Sequence, residues 1–530
     1  MKTITPQDLR AWLTDGRELA LFDVREQGVY HTGHLLFAVS LPLSHLEDRV
    51  SRLAPRRSVR TVLCDDGEGL AERAHGVLEA LGYSDLALLQ GGVTAWARAG
   101  LEIFSGVNVP SKAFGEFIEH EDDTPRIEAR ELQSMIDAGE DLVILDSRPW
   151  GEYHRMNIPG GVDAPGAELV HRVHDLAPDP SRTVVVNCAG RTRSIIGAQS
   201  LINAGLPNRV YALKDGTMGW ELAGLELERG ATRRAPDPSP QARQIAEARA
   251  QDVARRFGIS FIDEAALARW QGEANERSLF VLDVRSPEEF KAGHRQDSRS
   301  APGGQLVQAT DEYAGVRNAR IVLVDDTKVR ATMTASWLVQ LGWPEVAVLE
   351  DGLTGALAAG EDADPTGVSK PIEAISPETL KQALDANNCA VVDFATSLQY
   401  RAGHIPGAAF AIRARLGEDV TKLPVAERYV ATSPDGAHAL RAAADLAAAT
   451  GRPVQVLAGG TEAWTEAGYE FATGFEHMAS KNDDVWYKPY DHDDGDPEKH
   501  MKAYLDWEVD LVRQIERDGT TRFRRFPPAG

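Results

Sequence analysis

Eleven consecutive residues, Val184-Val185-Val186-Asn187-Cys188-Ala189-Gly190-Arg191-Thr192-Arg193-Ser194, set one thiol beside two guanidinium groups and a glycine. The three valines predict a buried strand, the Cys-Ala-Gly step a tight turn, and the run from Ser194 to Leu201 a helix. Cys188 is therefore expected at the carboxyl end of a strand, beneath a helix N-terminus. Unpaired N–H groups of a first helical turn and the helix dipole favour anions there. Arg191 and Arg193 add two permanent cations, so thiolate should be favoured over thiol, below the reference pKa of about 8.5. A thiolate held this way is a nucleophile, whereas an inert buried cysteine needs no such setting.

The elements that must position this loop are written four times. An apolar run ending in aspartate recurs as Leu21-Phe22-Asp23-Val24-Arg25, Ile144-Leu145-Asp146-Ser147-Arg148, Val281-Leu282-Asp283-Val284-Arg285 and Val391-Val392-Asp393-Phe394-Ala395. The aspartates are 123, 137 and 110 residues apart, too far for solenoid repeats of about 20–50 residues and suited to tandem domains. Gly33-His34, Gly293-His294 and Gly403-His404 follow in three copies, with Met156-Asn157 in the second. Each unit closes on a Gly-containing turn, with Trp96, Trp220 and Trp464 in three copies and Ala356 in the third. Alternating strand and helix signals predict an α/β fold, in which each domain is a mainly parallel sheet with helices on both faces. Sites in such sheets lie beyond the carboxyl ends of the strands.

Bulk properties narrow the function further. A chain of 530 residues exceeds one hydrophobic core and predicts three to five domains at about 100–200 residues each. The net charge of −23 argues against nucleic acid or an anionic membrane as partner, since both need a basic face. Three scattered cysteines, Cys64, Cys188 and Cys389, make neither a disulfide framework nor a zinc site, so no metal or other cofactor is expected. The start Met1-Lys2-Thr3-Ile4-Thr5-Pro6 has no apolar leader and no run approaches a membrane span, which predicts a cytoplasmic, reducing setting.

The Asp-Val-Arg strand, the phrase His404-Ile405-Pro406-Gly407, the Cys-Ala-Gly-Arg-Thr-Arg loop and the Gly-Gly…Trp close together resemble the rhodanese (sulfurtransferase) family. The resemblance implies four tandem rhodanese-like domains, at 1–107, 124–230, 258–360 and 372–473, with a linker at 231–257 and a C-terminal tail at 474–530. The linker is long enough to let the chain halves form separate pairs, and the tail, rich in tryptophan and tyrosine, is expected to pack on the domains. The resemblance also implies a persulfide enzyme, whose loop cysteine takes sulfur from thiosulfate or a similar donor and passes it to cyanide or a thiol. Its partners are then a small anionic donor and a thiophilic acceptor, and a homo-oligomer is allowed.

Four loops decide which copies can do this. The second has Cys188, with Ala189, Gly190, Arg191, Thr192, Arg193 and Ser194 expected around substrate, the two arginines holding the donor oxyanion. Ser194 is expected to cap N–H groups or donate to the persulfide, and Asp146 with Arg148 to form an ion pair that positions the loop. The first loop aligns Cys64 with Cys188 but surrounds it with Asp65, Asp66 and Glu68, which disfavour thiolate. The third places Asp325 where sulfur would be carried, and the fourth, Thr432-Ser433-Pro434, has no cysteine in either register. Cys389 precedes a strand and reads as a core residue, and His34, His294 and His404 as hydrogen-bonding residues of the fold. A cysteine phosphatase or arsenate reductase would place arginine six residues after the cysteine, where this chain has Ser194. A non-catalytic anion- or partner-binding scaffold suits the other three loops and leaves the thiol of Cys188 unexplained.

Overall fold

The computed structural model describes residues 1–361 and 372–527; the join after Glu361 and the last three residues of the tail lie outside the described residues. In the second repeat five parallel strands run in the order Arg126–Ile127, Val210–Leu213, Thr183–Asn187, Leu142–Asp146, Val162–Asp163. Thr183–Asn187 lies at the centre, buried along its whole length. Val184 and Val186 pack with Leu169, Ala198 and Leu201 on one face, and Val185 with Leu132 and Trp220 on the other. A strand covered by helices on both faces must be apolar on both, hence three consecutive valines.

The same parallel order recurs in the other three sheets. Trp96, Trp220 and Trp464 anchor the closing helix of their repeats, each indole N–H donating at 2.9 Å to the carbonyl six residues on. In the third repeat, where Ala356 stands in place of tryptophan, no helix forms between Leu349 and Glu361. His34, His294 and His404 are buried and stack on Tyr30, Phe290 and Tyr400 at centroid separations of 3.8–3.9 Å. Each belongs to a one-pair antiparallel bridge to the end of its repeat, and Asn157 does the same in the second. Cys389 is half-buried against the core that contains Leu380 and Trp464.

The repeats pair as second with third and first with fourth. Gly166-Ala167 of the second faces Gly303-Gly304 of the third so closely that a Cβ on Gly304 would lie 2.9 Å from the Gly166 nitrogen. Arg330 of the third, fully buried, reaches Glu168 of the second at 2.9 Å. Between first and fourth, Arg413 pairs with Glu47 at 2.8 Å and Arg73 donates to the Ala414 carbonyl at 2.8 Å. The third repeat also adds Val316–Arg317 antiparallel to Leu19–Asp23, so the first sheet has a sixth strand from elsewhere in the chain.

This corrects the expectation of a linker that separates the halves. Pro240–Phe257 is a single helix, capped by Ser239 and closed by Gly258 with φ +64°. It buries Ala242, Ala246, Ala250, Val253, Ala254 and Phe257, a stripe at three- and four-residue spacing, against the helices Glu168–Leu176 and Val329–Gln340. The bridge is thus part of the core between the second and third repeats. The C-terminal helix Pro497–Asp518 buries Met501, Leu505, Glu508, Leu511 and Ile515 against Val109–Asp122, the helix that joins the first two repeats. No helix among the described residues is long and apolar enough to cross a membrane.

Candidate active site

The strand Thr183–Asn187 ends one residue before Cys188, and the helix Thr192–Asn203 begins four residues after it. Gly216, at φ +57°, lets a second helix start against the loop, because a Cβ there would overlap the Cys188 carbonyl. Asp146 and Arg148 hold the neighbouring strand end. Arg148 donates to Asp146 at 2.9 and 2.7 Å and to the Met156 carbonyl at 2.5 Å, while Asn187 donates to Asp146 at 3.0 Å. The buried ion pair is therefore bonded to the residue that precedes Cys188.

Sheet register shows which residues are equivalent among the four loops. Asp23, Asp146, Asp283 and Asp393 pair with Cys64, Asn187, Val324 and Thr432. Cys64 therefore occupies the place of Asn187, one residue short of the loop position, and the alignment of Cys64 with Cys188 is corrected. The partner stands 41 residues after the aspartate in each of the first three repeats and 39 after it in the fourth, so counting from the aspartate gives the same register. The true counterparts of Cys188 are Asp65, Asp325 and Ser433. Asp65, Cys188 and Ser433 each offer their carbonyl to the N–H of Val93, Thr217 and Thr461 at 2.8–3.0 Å. Burial pushes the Cys64 thiol well above its usual pKa and the Asp23 charge adds to it, so burial outranks the loop carboxylates as the cause.

What these counterparts do defines the loop chemically. Asp65 Oδ2 accepts the N–H of Ala71 at 3.1 Å, Asp325 Oδ2 those of Arg330 and Ala331 at 2.8 and 3.3 Å, and Ser433 Oγ that of Ala439 at 3.2 Å. In each degenerate repeat a side-chain oxygen accepts the N–H six residues on, and in the third the N–H five residues on as well. In the second repeat the residues at those offsets are Arg193 and Ser194, and the equivalent side chain ends in sulfur, Cys188 Sγ, which donates to Ser194 Oγ at 3.5 Å. Ser194 Oγ donates its own proton to the Arg191 carbonyl at 2.8 Å.

Arg191 is enclosed by carboxylates. Its guanidinium is held by Glu116 at 2.7 and 2.8 Å, by Asp215 at 3.0 Å and by Glu119. The expectation that it binds the donor oxyanion is corrected: its charge is already matched by three carboxylates. Burial pushes the Glu116 carboxyl up to about 7 even beside Arg191. Arg193 is bound to Glu152 at 2.8 and 3.1 Å and to Gln305 of the third repeat at 3.4 Å. Burial opposes its charge, but Glu152 outweighs burial and the interaction with Cys188 also favours the cation. Glu152, disfavoured by burial, is pulled down to about 2 by Arg193.

Cys188 is 2% exposed, and part of its cover comes from the C-terminal helix. The face of Gly190 lies against Tyr504 and Glu508, both 3.1 Å from where a Cβ would stand. Tyr504 donates to Glu508 at 2.9 Å and accepts from Lys112 at 2.6 Å, and Thr192 donates to Glu508 at 3.3 Å. Burial, then Glu508, holds the Tyr504 hydroxyl well above its usual pKa, so it stays protonated. Ala189 packs beside Met218, Met501 and Leu505. Lys112, Glu116, Glu152, Gln305, Tyr504 and Glu508 were not anticipated from the sequence; all but Glu152 come from outside the repeat that they serve.

The sequence pattern of the Rhodanese-like domain matches residues 5–99, 128–223, 264–359 and 376–467. A crystal structure of thiosulfate sulfurtransferase from Pseudomonas aeruginosa is 49% identical, with a TM-score of 0.94 over 99% of this chain and 100% of that one. "Probable adenylyltransferase/sulfurtransferase MoeZ" from Mycobacterium tuberculosis is 39% identical over 98 residues, 18% of this chain. The match spans only 24% of that relative's length. A sulfurtransferase from Allochromatium vinosum is 31% identical over 100 residues, 19% of this chain and 92% of its own. Sheet order, loop register and these likenesses agree that the chain belongs to the Rhodanese-like domain family, with four copies of the domain.

Proposed function

We propose that the chain is a sulfurtransferase that carries sulfane sulfur as a persulfide on Cys188. The observation that carries this reading is the N–H cradle. In three repeats it holds an oxygen of Asp65, Asp325 or Ser433, and the same position in the second repeat bears the one atom type that can both rest there as an anion and accept sulfur. The N-terminus of Thr192–Asn203 adds its dipole to the same point.

The thiolate of Cys188 attacks the outer sulfur of thiosulfate or a similar donor. A Cys188–S bond forms, the donor S–S bond breaks, and sulfite leaves with the electron pair. The terminal sulfur of the persulfide then lies in the cradle of Arg193 and Ser194 amides, with the Arg193 guanidinium favouring negative charge nearby. Cyanide or a thiolate attacks that sulfur, and the Cys188 thiolate is restored. Arg191 acts one step away, holding the helix Val109–Asp122 to the loop through Glu116 and Glu119.

Thiosulfate with cyanide tests the reading by release of thiocyanate. Cys188→Ser should abolish turnover and the single sulfur added to intact protein, while Cys64→Ser should leave both. Sulfur found on Cys64 instead would overturn the assignment.

A further inference from the structure

Between the second and third repeats lies a cavity of about 970 Å³. That is far more than a small inorganic anion fills and is in the range of sites for organic ligands, roughly 300–1,000 Å³. It opens at the carboxyl ends of Leu142–Asp146, the strand next to the one that leads into Cys188, and of Val162–Asp163, the edge strand beyond it. One wall residue, Ser147, donates to the Asn187 carbonyl at 2.8 Å, and another, Gln305, bonds Arg193.

The charges of the cavity are unequal. Its lining acids outnumber its arginines six to four, and the arginines are engaged: Arg172 by Glu168 at 2.7 Å, Arg285 by Asp283 at 2.6 Å, Arg243 by Asp326 at 3.5 Å. Arg234 reaches Glu288 at 3.5 Å and stacks over Trp150 at 3.8 Å. Asp163 differs. It is 6% exposed, and its Oδ1 has no hydrogen-bond partner among the described residues. His171 Nδ1, in the same cavity and 5% exposed, also lacks one. A buried carboxylate oxygen without a donor is costly, and a cationic N–H ligand group would relieve that cost. Burial and then the Asp146 charge push the Asp163 carboxyl up to about 7, outweighing the opposing charges of Arg234 and Arg148.

We infer that this cavity is the acceptor site and that it takes an organic thiol bearing a primary ammonium group, which Asp163 binds. The inference rests on the persulfide reading of Cys188. The acceptor thiolate attacks the outer sulfur of the Cys188 persulfide, the S–S bond breaks with its electron pair returning to Cys188, and the acceptor leaves as its own persulfide.

Full-length protein loaded with sulfur from thiosulfate, freed of excess donor and checked by intact mass, is discharged with cysteamine, 2-mercaptoethanol or 3-mercaptopropionate. Comparing variant with wild type for each thiol cancels their intrinsic reactivities. Asp163→Asn should lower kcat/KM for cysteamine about tenfold, the effect of roughly one charge-assisted bond, and leave the other two thiols and the loading step unchanged. On wild-type protein, ethanolamine, which has no thiol, should raise the apparent KM for cysteamine and not that for 2-mercaptoethanol; this arm needs no variant to fold. Equal losses on all three thiols, no loss on any, or indifference to ethanolamine would overturn the acceptor assignment while leaving the persulfide intact. Absence of loaded sulfur on Cys188 would instead remove the reading beneath it.

Discussion

Arg191 donates to both carboxylate oxygens of Glu116, through Nε at 2.7 Å and Nη2 at 2.8 Å, in a pair that is almost wholly buried. Removing one member of such a pair leaves an uncompensated buried charge, which costs about 3–5 kcal/mol. Arg191→Ala should therefore lower the thermal midpoint sharply, while the KM for thiosulfate of the protein that remains folded stays at the wild-type value. A raised KM with an unchanged midpoint would return Arg191 to the donor. Arg193→Ala should instead slow sulfur loading, on the order of 10²-fold if its charge acts on the forming persulfide.

Asp325 holds in the third repeat the place that Cys188 holds in the second, and its Oδ2 accepts two backbone N–H groups there. The same geometry should accommodate a carboxylate in the second repeat. Cys188→Asp is expected to fold with a melting temperature near that of Cys188→Ser, and to carry no sulfur. A large loss of stability in the aspartate variant alone would mean that the second cradle is not built like the third.

Tyr504 closes over Gly190, and Cys188 is 2% exposed beneath the assembled cover. Tyr504→Ala should open that cover, and alkylation of Cys188 by iodoacetamide, followed by peptide mass, should quicken by roughly tenfold as the opening free energy falls. Cys64, buried in a separate core with Val62 and Trp96, should stay unlabelled in both proteins. Equal labelling rates would show that the C-terminal helix does not limit access.

How much of this was legible in the sequence follows from the range of the contacts. Strand, turn and helix around Cys188 depend on neighbours within about ten residues, and the repeated aspartate strands carry the α/β order; both could be read. The Asp146–Arg148 pair, two residues apart, could be read as well. The partners of Arg191 lie 75, 72 and 24 residues away, and Tyr504 lies more than 300 from Gly190, so no local signal points to them. Cys64 misled because a cysteine near the end of a valine-leucine strand looks like a loop cysteine, although it stands 41 residues after Asp23 just as Asn187 stands 41 after Asp146, the register that the sheet pairing shows. The pairing of second with third repeat depends on Gly166 and Gly304 meeting across the molecule, a match of shapes that neither sequence segment announces alone.

Asp393 shows what the motif aspartate costs without its arginine. The first three repeats pair it with Arg25, Arg148 or Arg285, whereas the fourth has Ala395 at that position, and Asp393 Oδ2 has no partner among the described residues. Burial pushes its carboxyl from the usual 3.8 up to about 7. Because the folded state then holds a proton that the unfolded state has already lost, the stabilising contribution is full below about 3.8 and is lost as pH rises through 7. Urea unfolding of wild-type protein should therefore show lower stability at pH 8 than at pH 5.5, from this group together with Glu26, Glu116 and Asp163, all pushed to about 7. Asp393→Asn keeps the bond that the Ala395 N–H donates to Oδ1 at 2.9 Å and removes the charge. It should raise stability at pH 8, by up to about 1–4 kcal/mol, by roughly half as much at pH 5.5, and flatten the pH dependence. A variant no more stable at pH 8 than wild type would mean that the Asp393 carboxylate is paired in the folded state and its pKa is not raised.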